Sequence, residues 1–255
     1  MKIQTVSTCH REGWDKYGAQ MVDSFVKEWP ADVMMNFYPE GFSISEYDGR
    51  ICTREFPIWL DDFKRANKDN KLAHGRIPYD GYNFRFDAIR FAHKTAAVID
   101  CYSTCKADVL IWIDADIFFH SPVTHEFLAG LLPDEAQVAW LDRRNLYPEC
   151  GFYMLRCKDP AVHAIMHRWQ QLHETGDIFN LSEWHDSFVF EHLVRSSPVR
   201  TASLSGRAYN NSHPAINGPL GAVLDHRKGP RKFAGRTPAR ERTEVSDNHP
   251  YWRKP

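Results

Sequence analysis

The sequence predicts an α/β fold built around a central, mostly parallel β-sheet, and three observations carry that expectation. Ile3 to Thr8 is a short apolar and β-branched run that passes through Cys9-His10 into a helix-like stretch, Trp14 to Trp29, and then into a second strand-like run, Asp32 to Tyr38. Strand, helix, strand in that order is the unit from which parallel sheets are built. Val109-Leu110-Ile111-Trp112-Ile113 is continuously apolar, as a strand buried on both faces must be. With 255 residues, 43% of them hydrophobic and 25% charged, the chain has enough apolar surface for one substantial core. A single domain spanning 1–255 is therefore expected.

The elements follow in order. Between Trp14 and Trp29, apolar residues at Tyr17, Met21, Val22, Phe25 and Val26 repeat at three- and four-residue spacing, and Pro30 ends the helix. Gly41 to Tyr82 is polar and rich in Gly and Pro, and it reads as an irregular excursion with a short helix near Trp59 to Asn67. From Phe84 to about Tyr102 a helical face is formed by Phe84, Ala88, Phe91, Ala92, Thr95 and Val98, with Arg85, Arg90 and Lys94 on the same segment. After the apolar strand, Gln137 to Asp142 and Gly151 to Arg156 read as strands. Pro160 to Thr175 and Glu183 to Val194 read as helices separated by a loop at Asp177 to Ser182. The last fifty residues read as loop, and no internal repeat is evident.

The net charge of −1 conceals an asymmetry, since residues 226–255 hold nine Lys and Arg against three Asp and Glu. That basic end is either a solvated tail or a site for phosphates or another polyanion. No run of about 18 apolar residues exists, so no transmembrane segment is expected. The N-terminus lacks the features of a signal peptide, which predicts a cytoplasmic protein. The six cysteines are scattered without a C-x-x-C pair, which predicts reduced thiols rather than a disulfide framework.

Two short patterns carry chemistry. Asp114-Ala115-Asp116 closes the apolar strand, and side chains at i and i+2 of an extended segment share a face, so both carboxylates can address one cation. The pattern alone is common by chance. Its place at a strand's C-terminal end, where open α/β sheets bind ligands, gives it weight. Hard oxygen ligands suit Mn²⁺ or Mg²⁺, which also bind phosphate oxygens. In the basic end, His226, Gly229 and Lys232 fall at spacing H-x-x-G-x-x-K. Glycine lets the backbone approach a phosphate, lysine neutralises it, and histidine can complete a metal shell. Taken alone, this second pattern is a basic turn.

Together the two patterns resemble those of the retaining GT-A glycosyltransferases of the glycogenin and lipopolysaccharide galactosyltransferase group. The resemblance implies a GT-A type, Rossmann-like nucleotide-binding fold in which Asp114, Asp116 and His226 ligate the metal while Gly229 and Lys232 hold the donor's diphosphate. Glu149-Cys150-Gly151-Phe152 is similar to the family's N-x-G strand start. Trp184-His185-Asp186-Ser187-Phe188 is similar to its D-Q-D-x-L-N segment, with Asp186 at the last Asp. Asp142 falls where that group keeps a sugar-binding Asp. The departures are Glu149 for Asn, Trp184-His185 for Asp-Gln, and Phe233-Ala234 for Pro-Trp after Lys232. The implied reaction is transfer of a sugar, with retention, from a nucleotide diphosphate donor such as a UDP-sugar. Asp142, Asp186 and Lys232 are its candidate catalytic residues. Arg85, Arg90 or Lys94 would add charge beside the phosphates, and Thr8 and Cys9 at the end of the first strand would line the nucleoside pocket. The segment 226–255 would close over the donor. The acceptor is a hydroxyl on a glycan, a lipid-linked glycan or a hydroxylated DNA base.

Two rival readings use the same residues. A metal-dependent nucleotidyl or phosphoryl transferase would also need Asp114 and Asp116, with Asp142 as a further ligand, but it gives the H-x-x-G-x-x-K no role. A nucleic-acid binding module would use the basic end with Phe233, Tyr251 and Trp252 as stacking platforms, against the acidic balance of the first 225 residues.

Overall fold

The computed structural model describes residues 1–44, 47–79, 81–206, 213–233, 235–245 and 249–253. Ala234, 246–248 and 254–255 of the basic segment, and the side chains of Pro230 and Phe233, lie outside that description.

In chain order the elements are β1 (Ile3–His10), α1 (Arg11–Gly13), a π turn (Trp14–Gly18), α2 (Ala19–Glu28), β2 (Met34–Glu40), β3 (Ile51–Thr53) and α3 (Ile58–Ala66). A small hairpin, β4 (Arg76–Ile77) and β5 (Gly81–Tyr82), precedes α4 (Ala88–Thr104), β6 (Val109–Ile113), β7 (Ile117–Phe119) and α5 (His125–Leu131). Then come β8 (Val138–Leu141), β9 (Glu149–Arg156), α6 (Pro160–Glu174), α7 (Asp186–Arg195), β10 (Thr201–Ser203), β11 (Leu224–His226) and α8 (Pro250–Arg253).

Seven strands form the main sheet in the order β10-β8-β9-β6-β1-β2-β3. All neighbouring pairs are parallel except those of β9, which runs antiparallel to both β6 and β8. The expected α/β fold with a mostly parallel sheet is therefore present. The period of two along β6 divides its side chains between two cores. Leu110 and Trp112 face a layer built with α3, α4, α6 and α7, whereas Val109, Ile111 and Ile113 face one built with α2 and α5. All six cysteines are free, with the Cys105 and Cys157 sulfurs 3.3 Å apart. No helix among the described residues is long and apolar enough to cross a membrane.

The structure differs from the sequence reading in four places. The excursion after Gly41 contributes β3 to the main sheet, where three residues pair with β2. The helix expected from Phe84 starts at Ala88, because the Asp87 side chain accepts from the Arg90 amide and caps it there, leaving Phe84–Phe86 as a 3₁₀ turn. The helix expected from Glu183 likewise starts at Asp186. The last fifty residues, expected as loop, supply β11, which pairs antiparallel with β7 outside the main sheet, and the edge strand β10 just before them is likewise unanticipated.

Candidate functional site

Parallel β1, β2 and β6 end at one edge of the sheet, and their last residues open a cleft of about 150 Å³. Thr8 and Cys9 come from β1, Glu40 from β2, and Asp114 to Asp116 from the turn after β6. Tyr17 enters from the π turn, Arg90 and Lys94 from α4, and Asp186 from the first turn of α7. Lys232 closes the cleft from the C-terminal side.

The metal-binding candidates meet here. One ligand atom each from Asp114, Asp116 and His226 lie within 4.8 Å of one another. His226 Nε2 is 3.0 Å from Asp116 Oδ1 and 3.9 Å from Asp114 Oδ2. The 110 residues between Asp116 and His226 are bridged by the β7–β11 ribbon, in which His226 pairs with Ile117. The Arg227 amide then donates to the Asp116 carbonyl at 3.0 Å. Gly151 makes room for the imidazole, since a Cβ there would lie 2.5 Å from His226 Cε1. Two carboxylates and one imidazole at this spacing are a donor set that could hold one divalent metal ion.

Cationic side chains surround the aspartates. Lys232 Nζ is 2.7 Å from Asp116 Oδ2 and lies over the Tyr17 ring. Lys94, expected to add charge beside the phosphates, is buried in the cleft wall, with Nζ 3.1 Å from Asp114 and 2.7 Å from Asp186. Burial opposes its charge, yet the two carboxylates outweigh burial and hold its ammonium well above the ordinary lysine range. Burial likewise works to raise the Asp116 carboxyl, but His226 and Lys232 outweigh it and hold the group well below the usual carboxylate range. Desolvation works against a charged His226, and the Asp116 carboxylate reverses the balance and raises its pKa. The Trp112 indole N–H donates to Asp114 Oδ1 at 2.7 Å, fixing that carboxylate from below.

The remaining predicted residues divide. Thr8 Oγ1 sits 2.6 Å from the Tyr38 carbonyl and 3.1 Å from Glu40 Oε1, in the cleft wall. Cys9 is beside it, its thiol pushed up by burial and then by Glu40 and Asp116, so it stays protonated. Gly229 is exposed with φ of +59°, a left-handed turn that brings the chain from His226 round to Lys232. The structure does not bring Arg85 or Asp142 into the cleft. Arg85 precedes α4 on the 3₁₀ turn and pairs with Glu183 at 3.4 Å. Asp142 leaves β8 toward β10, where it accepts from Ser203 Oγ, and its carbonyl accepts from Ser205 Oγ at 2.6 Å.

Sequence reasoning missed Glu40, Tyr17 and Lys228. Glu40 ends β2 at the same sheet edge as Asp114, and the strand-end rule that selected Asp114 applied to it equally. Lys228 contacts Glu149, whose other oxygen is 3.9 Å from His226 Nδ1. Burial and the Arg143 guanidinium push the Lys228 ammonium down to about 8.

No family model matches the sequence, and no curated protein is similar to it in sequence. Among solved structures, the chain is similar to mouse xyloside xylosyltransferase 1 in its apo form. The TM-score is 0.50 with 11% identity, over 80% of this chain and 86% of that one. It also overlaps the glycosyltransferase GlyE of Streptococcus pneumoniae TIGR4, with TM-score 0.48, 12% identity, and coverage of 80% of this chain and 45% of that one. Together with the sheet order and the strand-end cleft, the first likeness shows that the chain has the α/β fold of the GT-A type.

Proposed function

We propose that the chain is a metal-dependent glycosyltransferase that moves a sugar from a nucleotide diphosphate donor, a UDP-sugar, to a hydroxyl acceptor with retention of configuration. The observation that carries this reading is the meeting of Asp114, Asp116 and His226 with Lys232 at the ligand-binding edge of a GT-A type sheet. Retention rests on the likeness of the D-x-D and H-x-x-G-x-x-K patterns to those of retaining enzymes. The acceptor is a glycan, a lipid-linked glycan or a hydroxylated DNA base.

In this reading Asp114, Asp116 and His226 hold Mn²⁺ or Mg²⁺, which when bound supplies Lewis-acid neutralisation of the diphosphate. The Lys232 ammonium faces the same oxygens and stabilises the charge that grows on the leaving nucleoside diphosphate, while Gly229 lets the backbone come close. Thr8, Cys9 and Tyr17 line the nucleoside end. Asp186 faces the sugar, and Lys94 fixes both Asp186 and Asp114 as a positioning residue. The segment from His226 onward closes the donor side of a single domain.

A thermal-unfolding panel tests the reading, because a ligand that binds only the native state raises its stability in proportion to affinity. UDP and UDP-sugars with Mn²⁺ are expected to raise Tm, and chelator is expected to abolish the rise. A rise that survives chelator, or none with any nucleotide, would remove the proposal.

A further inference from the structure

Beside the cleft lies a second, larger cavity of about 440 Å³ whose wall includes Arg85, Arg143, Arg144, Leu146, Tyr147 and Glu191. A volume of that order suits a small ligand. Its charges are unequal. Glu191 is taken up by Arg195 at 2.7 Å, and the nearby Glu183 accepts from Tyr147 Oη at 2.6 Å and pairs with Arg85. Among the described residues no carboxylate pairs with Arg143 or Arg144. The Arg143 Nε donates to the Tyr147 carbonyl at 2.6 Å, which orients a half-buried guanidinium and leaves its terminal nitrogens for another partner.

The cavity is joined to the cleft by two connections. Arg143 and Arg144 follow β8, whose Leu141 pairs with Glu149, and Glu149 reaches toward His226. Phe84 and Tyr147 both pack on the His185 ring, at 5.4 and 5.0 Å between centroids. His185 immediately precedes Asp186 in the cleft. Phe84 and Leu146 meanwhile stay about half exposed, at 48% and 51%.

Resting on the glycosyltransferase reading, we propose that this cavity is the acceptor subsite and that the acceptor carries a phosphate group, gripped by Arg143 and Arg144 with Arg85 at the edge. Two guanidinium groups lining one cavity with no carboxylate in ion-pair contact match a tetrahedral dianion, because each offers a planar fork of N–H donors. The exposed Phe84 and Leu146 take the uncharged part of the same molecule. In the cleft itself Lys94 and Lys232 are already paired with carboxylates, so the acceptor's charge is read here and not at the diphosphate.

The test is a titration of the protein with inorganic phosphate in chelator, followed through arginine Nε resonances, and then with a hexose 6-phosphate, the plain hexose and a hexuronate. Inorganic phosphate and the sugar phosphate are expected to shift arginine signals saturably. Arg143→Gln/Arg144→Gln is expected to lower their affinity at least tenfold, and the double lysine variant less. If the double variant is poorly folded, exposed Arg144→Gln alone carries the comparison. Equal phosphate affinity in the variants, or shifts confined to Arg90 in the donor cleft, would overturn the pocket, and equal hexuronate binding would overturn phosphate as its ligand. Donor hydrolysis without acceptor reads the parent function separately. If hydrolysis occurs with Mn²⁺ but the hexose phosphate accelerates UDP release no more than the hexose does, the acceptor role fails while the parent function stands.

Discussion

The two halves of the metal cluster are built in opposite ways. Asp114 and Asp116 leave a buried strand whose backbone is fixed on both sides, and the Asp114 amide donates to the Gly151 carbonyl at 2.8 Å. His226 to Lys232 hang from a three-residue strand, an exposed left-handed glycine and a 3₁₀ turn. What joins them is the β7–β11 ribbon together with side-chain charge, not the main sheet. Rigid positioning therefore belongs to the strand half, and adjustable charge belongs to the C-terminal half.

The largest effect should come from the strand half. Asp116→Ala removes a carboxylate that two cations share, and it is expected to abolish Mn²⁺-dependent UDP binding. That loss exceeds the roughly 100-fold that removing an outer-shell partner costs. Calorimetry with UDP and Mn²⁺ measures it, and unchanged affinity would take Asp116 out of the site. The C-terminal half should answer differently. Lys232→Ala is expected to slow turnover by about 3 kcal/mol, because its charge counts most as the diphosphate leaves. Donor affinity should change much less. Steady-state kinetics that show KM rising while kcat holds would reverse the assignment.

Gly151→Ala tests the contact between the halves. The added methyl would force the buried His226 ring aside, so stability should fall by about 1–3 kcal/mol. Mn²⁺ affinity is expected to fall with it, while Asp114 and Asp116 stay in place. Normal metal affinity in a folded variant would show that His226 is no ligand. The smallest effect lies away from both halves. His173 is buried against Trp59 and Phe63, and burial pushes its imidazole down to about 4. Its folded pKa lies below the unfolded value, so its contribution is intact above about pH 6.5 and is lost as the pH falls toward 4. Denaturant unfolding at pH 7 and 5.5 should show about 1 kcal/mol of this loss, and His173→Gln should not show it. An undiminished loss in that variant would move the acid sensitivity elsewhere, to His120 or His213, whose imidazoles burial also pushes down.

Much of this arrangement is legible in the residue order, for a physical reason. A continuously apolar strand that ends in two carboxylates can only be a buried strand opening onto solvent, and Val109 to Asp116 reads that way without coordinates. His226 and Lys232 are found only through the resemblance of their spacing to that of the glycosyltransferase group, since nothing local shows that β11 folds against β7. What stays hidden depends on tertiary partners. Lys94 is legible as a cation for the phosphates but its burial is not, because only Asp114 and Asp186, from two other elements, make that burial tolerable. Arg85 and Asp142 have the right type but turn away, toward Glu183 and Ser203, because a capped helix start and a neighbouring edge strand claim them. β3 is three residues long and too short for its period to show.

The hydrogen bond from Trp112 to Asp114 has an optical consequence. The indole lies under the cleft with the Lys94 ammonium 4.6 Å from its ring centre, so two charges of opposite sign act on one chromophore. Any ligand that draws on Asp114 changes the field along the indole and shifts its emission. Filling of the cluster can thus be followed by the protein's own fluorescence, and the signal lost in Trp112→Phe identifies which of the eight tryptophans reports it.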